Sequence, residues 1–159
     1  MSRIEVKVRL DSVEATFEGE PDDVLKAFFE WLSRFYPAYE SLSKIVYEPS
    51  LDRLIRECSD LLVIVEGGVI LKRKDLTAEN AIMLSLVGAY LGFRLGKLEK
   101  ETMTPVELMR SSWKALKTVY NTLSSMVKRG MIAKEGGEYR LTKLQVARFM
   151  LETLPKLKE

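Results

Sequence analysis

Polar and apolar residues alternate strictly at the start of the chain. Ile4, Val6, Val8 and Leu10 fall on one side, and Arg3, Glu5, Lys7 and Arg9 on the other. A period of two predicts a half-buried strand. Asp11-Ser12 reads as a turn, after which Val13, Ala15 and Phe17 alternate with Glu14, Thr16 and Glu18. This predicts a second strand and a hairpin, with basic outward residues on the first strand facing acidic ones on the second. Gly19-Glu20-Pro21 ends the hairpin. Asp22 and Asp23 suit the positive end of a helix. Val24, Leu25, Phe28, Leu32 and Phe35 form the apolar side of that helix, which Pro37 ends. The cluster of Phe28, Phe29, Trp31, Phe35, Tyr36 and Tyr39 reads first as core, with a ligand pocket or a partner-docking surface as the alternative. Residues 38–48 read as a short helix ended by Pro49.

The period then lengthens. Leu51, Leu54, Ile55, Cys58 and Leu62 keep helical spacing, but the run LLVIV is β-branched and Gly67-Gly68 follows it. Over residues 61–73 the pattern fits either a continued helix or a hairpin across the two glycines. Lys72-Arg73-Lys74 reads as solvated surface, with a second nucleic-acid backbone contact as the alternative. Thr77 is the predicted cap of a long helix reaching about Leu98. Ile82, Leu86, Ala89 and Phe93 line one side, and Val87, Tyr90, Leu91 and Leu95 carry apolar character nearly all round, which predicts a central helix. Gly88, Gly92 and Gly96 fall four apart and predict close packing of a neighbouring helix.

From Thr104 the punctuation is dense. Thr104, Pro105 and Glu107 form a helix start with a capping box, and Ser111 and Ser112 are expected to break this short helix. A second helix is predicted from about Lys114 to Arg129, with Leu116, Val119, Leu123 and Met126 or Val127 as its buried stripe and Gly130 as its stop. Residues 131–134 and 138–141, joined around Gly136-Gly137, predict a hairpin. A last helix is expected from Lys143 to Leu154. Its apolar positions Leu144, Val146, Ala147, Phe149, Met150, Leu151 and Leu154 exceed one buried face. It either crosses back onto the N-terminal layer or pairs with its copy in a homodimer.

The order helix, turn, helix, hairpin resembles the winged helix-turn-helix superfamily. The resemblance is carried by Thr118-Val119, Leu123, the exit Lys128-Arg129-Gly130-Met131-Ile132, and Gly136-Gly137 with Tyr139-Arg140-Leu141-Thr142 as the wing. It covers roughly half of the chain, and the superfamily includes binders of DNA, RNA and other proteins. The resemblance implies that the second helix lies in the major groove of duplex DNA. The side of that helix away from its stripe carries Lys114, Lys117, Thr118, Asn121, Ser125 and Lys128. An asparagine amide can pair bidentately with adenine, whereas lysines meet phosphates. Lys134 and Arg140 would touch the backbone or the neighbouring minor groove. The ordinary alternative is that these residues form a solvated helix face.

Charge sharpens this picture. Residues 1–49 hold 6 basic and 10 acidic residues, residues 50–76 hold 5 of each, and residues 77–159 hold 14 and 8. The basic excess therefore coincides with the helix-turn-helix pattern, as expected of a nucleic-acid binder. The chain has one cysteine and no histidine. With no phosphate loop or nucleophile signature either, no enzyme, no cofactor and no metal site is expected. Cys58 is expected as a small core residue. No apolar run approaches the ~18 residues that span a bilayer, and the first ten residues lack the apolar core of a signal peptide, so the expected compartment is the cytoplasm. Two Asn and one Gln against 25 Lys and Arg give a thermophile-like bias.

Together these patterns predict an α+β protein: an acidic ββα-type domain over residues 1–75 and a winged-helix domain with a C-terminal helix over residues 76–159. The expected function is duplex DNA binding, as a transcriptional regulator or a DNA-associated architectural protein, in a homodimer. The N-terminal domain would sense a ligand, join a protein partner or mediate assembly. The rival expectation is a protein-interaction adaptor that uses the winged helix inside a larger complex, marked by exposed apolar residues such as Leu116 or Trp113.

Overall fold

A computed structural model describes residues 2–35 and 50–159. The chain is a mixed α+β protein that divides into two compact units, Met1–Tyr47 and Glu48–Glu159.

In the first unit, β1 (Ile4–Leu10) and β2 (Val13–Gly19) pair antiparallel from Ile4↔Gly19 to Leu10↔Val13, as the alternation predicts. Asp11 turns the chain at φ 51°, a conformation that a short polar side chain tolerates. Arg9 faces Glu14 at 3.7 Å and Arg3 meets Glu18 at 3.2 Å. Helix α1 (Pro21–Phe35) carries both aspartates in its first turn. Val24 is buried and Phe17 meets Phe28 and Trp31 edge-on at 5.9 Å, so these rings seal the hairpin against the helix. Leu25, expected on the buried side, is half exposed. The expected helix over residues 38–48, together with Tyr36 and Tyr39, lies outside the described residues.

The second unit is built on one helix. α2 (Leu51–Cys58) is capped by Ser50 and leads into β3 (Leu62–Val65) and β4 (Gly68–Leu71). These strands pair from Leu62↔Leu71 to Val65↔Gly68, so residues 61–73 form a hairpin rather than a continued helix. Its inner residues Leu62, Ile64, Val69 and Leu71 face α3 (Ala78–Arg94), on which α2, β3, β4 and later elements pack. Thr77 caps α3, and every residue from Ala81 to Gly92 is buried. α3 ends four residues earlier than the pattern suggests, because Gly96 at φ 71° takes the chain out of the helix.

Two expectations about this unit are corrected. Among the described residues no helix packs on the glycines: Gly88 admits the β3–β4 hairpin, Gly92 admits Leu98 of the segment after α3 with Ile64 of the hairpin behind it, and Gly96 meets nothing within 4 Å. A Cβ at Gly88 would lie 2.5 Å from Val69 and 3.3 Å from Leu62, and one at Gly92 would lie 2.5 Å from Leu98 and 3.3 Å from Ile64. The unit boundary also falls at residue 47 rather than 75. The hairpin belongs with this unit because its inner residues pack on α3, and Trp113 Nε1, in the turn after residues 105–112, donates to Leu71 O at 2.8 Å.

Helix α4 (Pro105–Ser112) opens with the expected capping box: Glu107 N donates to Thr104 Oγ1 at 3.2 Å and Thr104 N to Glu107 Oε2 at 2.8 Å. The serines do not break it. Ser111 donates to Ser85 at 2.8 Å, and Ser85 in turn to Ala81 O, so the hydroxyls bridge α4 to α3 without leaving helical geometry. Helix α5 (Leu116–Lys128) follows, then β5 (Ala133–Glu135) and β6 (Glu138–Arg140) around the turn Gly136-Gly137. Met103, between α3 and α4, bridges antiparallel to Tyr139 as a third strand-like partner.

The chain ends in α6 (Lys143–Arg148), a π-helical turn (Phe149–Thr153) and α7 (Leu154–Leu157), which run on without a break. Phe149, Met150 and Leu154 are buried, whereas Leu144 and Leu151 are exposed. Arg73 Nη1 donates to Leu157 O at 2.7 Å and anchors the end of this run within the second unit. Cys58 is buried, and burial pushes its thiol up to about 11.

Gly88→Ala tests the helix–hairpin approach. Overpacking costs about 1–3 kcal/mol, partly offset by the ~1 kcal/mol helix preference of alanine. The expected net result is a lower denaturation midpoint. The double variant with Val69→Ala is expected to be less destabilised than the sum of the two singles, because the second change removes the clash.

Candidate nucleic-acid interface

Helix α5 presents the sequence-predicted face. Val119, Leu123 and Met126 are fully buried and fix the rotation of the helix, while half-buried Leu116 starts it. Gly130 at φ 70° ends it. That rotation leaves Lys117, Thr118, Asn121, Ser125 and Lys128 exposed on one side. Lys114 is half-buried and lies before the helix, in the turn that Trp113 opens. It does not share the helix face with the others, but it sits close enough to Asp75 to help hold that carboxyl below the usual carboxylate range, after the larger effects of the Arg73 hydrogen bond and Asp75's own backbone.

The N-terminal end of α5 lacks the features that stabilise a helix start. Ala115 offers no side-chain cap, the first turn has no acid, and Lys117 opposes the macrodipole. Helix stability does not account for lysine at this end.

Three other cations nearby, Arg129, Lys100 and Arg140, are neutralised. Arg129, in the last turn of α5, pairs with Glu79 in the first turn of α3. Lys100 pairs with Glu138 of β6 and lies 3.3 Å from Glu107. The Glu138 hydrogen bond holds the Lys100 ammonium above the usual lysine range, and the same bond, with a further one from Thr102, holds Glu138 below the usual carboxylate range. Arg140 meets Glu135 at 2.6 Å and Glu101 at 3.5 Å. Of the two candidates on the β5–β6 hairpin, Arg140 is therefore bound up in the hairpin itself. Lys134 is exposed, with its Nζ 5.8 Å from the centre of the Tyr139 ring. Among the described residues no carboxylate forms an ion pair with Lys117, Lys128 or Lys134.

A groove of about 940 Å³ opens between the β3–β4 turn and the segment joining α3 to α4. Its rim sets Glu66, Glu99 and Glu107 against Lys97, Lys100 and Arg110, so its charge favours neither sign. Among the described residues no three His, Cys, Asp or Glu side chains stand close enough to hold a metal ion, and no helix is long and apolar enough to cross a membrane.

Comparison with protein families, with characterised proteins and with solved structures finds no match to this chain.

Two exposed groups beside the predicted face carry no helical-spacing signal of their own. Tyr120 is 51% exposed on the flank of α5, next to Asn121. Lys74 stands 4.2 Å from the centre of the Trp113 ring, 39 residues away in sequence. The basic run 72–74 was the available signal for the second, while an aromatic residue at a surface helix position was the only one for the first.

The Lys100–Glu138 tie makes a pH-dependent contribution. Glu138 has a lowered folded pKa, so its contribution is complete above the ordinary carboxylate range and is lost as pH falls through the lowered value. The raised pKa of Lys100 makes its share complete below the ordinary lysine range and lost as pH rises through the raised value. Glu138→Gln is expected to lower the melting temperature at neutral pH, and the difference from the wild type is expected to close as pH falls through the acid range. Thermal melts of both proteins across that range check this.

Proposed function

We propose that the second unit is a winged helix-turn-helix that binds duplex DNA with α5 in the major groove, and that the protein acts as a transcriptional regulator or a DNA-associated architectural protein. The observation that carries the proposal is the division of charge on and around α5. Lys117 and Lys128 stand exposed beside Thr118, Asn121 and Ser125 with no carboxylate partner among the described residues, while Arg129 and Arg140 are held by acids. The order α3, Met103 bridge, α4, α5, β5–β6 supports the same proposal, since it supplies a helix-turn-helix followed by a hairpin that is tied back to the first helix. In this scheme the lysines and Lys134 meet phosphates, and Asn121 reads a base edge.

Fluorescence anisotropy with labelled duplexes at several salt concentrations tests it. Binding falls steeply with salt, and Lys117→Ala or Lys128→Ala each lowers the slope of log affinity against log salt by about one. Asn121→Ala costs about 1–3 kcal/mol on a preferred sequence and little on a random one. A wild-type protein that binds no duplex at low salt overturns the proposal.

The homodimer has its own observation. Leu144 and Leu151 are 71% and 57% exposed and two helical turns apart. An antiparallel two-fold pairing of this helix with its copy would cover both leucines in one isologous contact, with Glu152 beside it held at 3.7 Å by Arg148 of its own helix. Sedimentation of the wild type is expected to show a dimer, and Leu144→Glu with Leu151→Glu a monomer.

A protein-docking role is the second reading. It is favoured by Val63, Val65 and Ile70, which are each about 40% exposed on the outer face of the β3–β4 hairpin. Val63 and Ile70 face one another directly across the strands, so they form one apolar strip.

A further inference from the structure

Trp113 occupies a position that chain reversal alone would give to glycine. It follows α4 at φ 61°, a left-handed conformation that is costly for a bulky side chain. Core burial does not offset that cost, because the residue is 49% exposed. Its contacts lie elsewhere. The indole Nε1 donates to Leu71 O, at the end of β4, at 2.8 Å. Lys74 Nζ stands over the ring at 4.2 Å from its centre. Trp113 thus holds the loop after β4 against the turn before α5.

The charges in that loop are not equivalent. Arg73 is engaged: it forms a bidentate pair with Asp75, at 3.0 and 2.7 Å, and donates to Leu157 O. Asp75 is thereby occupied. Lys72 donates to Ser59 O at 2.9 Å, a neutral acceptor that leaves its charge uncompensated. Lys74 has the face of an aromatic ring for a partner, which also leaves its charge in place. Both lysines are exposed, and Lys74 lies over the ring of Trp113, the residue that immediately precedes Lys114.

We propose that Lys74, seated on Trp113, and Lys72, held by the Ser59 carbonyl, form a second contact with the sugar-phosphate backbone of duplex nucleic acid, on the strand beside the groove that α5 enters. This rests on the DNA-binding proposal above. Ammonium groups are compact point charges suited to phosphates rather than to reading bases. The pair therefore adds affinity and salt dependence and leaves sequence preference to α5. The bidentate Arg73–Asp75 pair and the Trp113 hydrogen bond keep the loop in place without using either lysine.

The test measures affinity of the full chain for a labelled random duplex against salt. Four proteins are compared: the wild type, Lys72→Ala with Lys74→Ala, Lys117→Ala with Lys128→Ala, and Trp113→Gly. The Lys72/Lys74 variant is expected to lower the slope of log affinity against log salt by about two, as two lost phosphate contacts require. Trp113→Gly removes the platform and suits the left-handed backbone, so it is expected to stay folded by circular dichroism and to lose slope as well. A Lys72/Lys74 variant with wild-type slope, alongside a Lys117/Lys128 variant with a reduced one, overturns the second contact and leaves the α5 interface standing. A wild type that binds no duplex overturns both.

Discussion

Twelve consecutive residues of α3 are buried, from Ala81 to Gly92. A helix that is apolar all round has no solvent face and must be covered on every side. The layout of the second unit follows from that demand. The β3–β4 hairpin covers the side where Gly88 and Gly92 remove side chains, α4 covers another through the Ser111–Ser85 hydrogen bond, and α5 and β6 also pack on it. A fully buried Leu or Ile contributes about 1.5–3 kcal/mol, and α3 carries Ile82, Leu84, Leu86 and Leu91 at 2% exposure or less. Surface ion pairs such as those of the described residues contribute about 0–1 kcal/mol each.

Coverage of α3 then decides which surfaces remain for binding. α5 docks through Val119, Leu123 and Met126, so its other side must face outward. The acids that close the periphery, Glu79, Glu101, Glu135 and Glu138, each take a basic residue out of circulation. Among the described residues, the cations without a carboxylate partner include lysines on α5, at the hairpin edge and in the loop after β4.

Much of this was legible along the chain because the signals are local. Alternation at residues 4–10 and 13–18 marked both strands of the first hairpin and the face each side chain takes, since each side chain's direction follows from its neighbours. Thr77, Thr104 with Glu107, Gly130 and Gly136-Gly137 marked ends and turns through hydrogen bonds and dihedrals within a few residues of themselves. The exposed set Lys117, Thr118, Asn121, Ser125 and Lys128 was legible for the same reason: burying a stripe at period 3.6 dictates the opposite face.

Features that depend on distant partners were not. The β-branched run at 61–65 fits a helix or a strand until α3 supplies the surface it covers, and the unit boundary moves with it. The serines at 111 and 112 look like breakers until Ser85 appears 26 residues upstream. Arg140 looks free until Glu101 meets it, and Lys74 looks like ordinary surface until Trp113 arrives beneath it. By itself the sequence determined most of the elements, the caps at Thr77 and Thr104 and the polar side of α5, because those follow from periodicity and short-range hydrogen bonding. Only the tertiary structure decided which glycine meets which strand, which cation is neutralised and which stays free, because close packing and charge pairing join residues that the chain holds tens of positions apart.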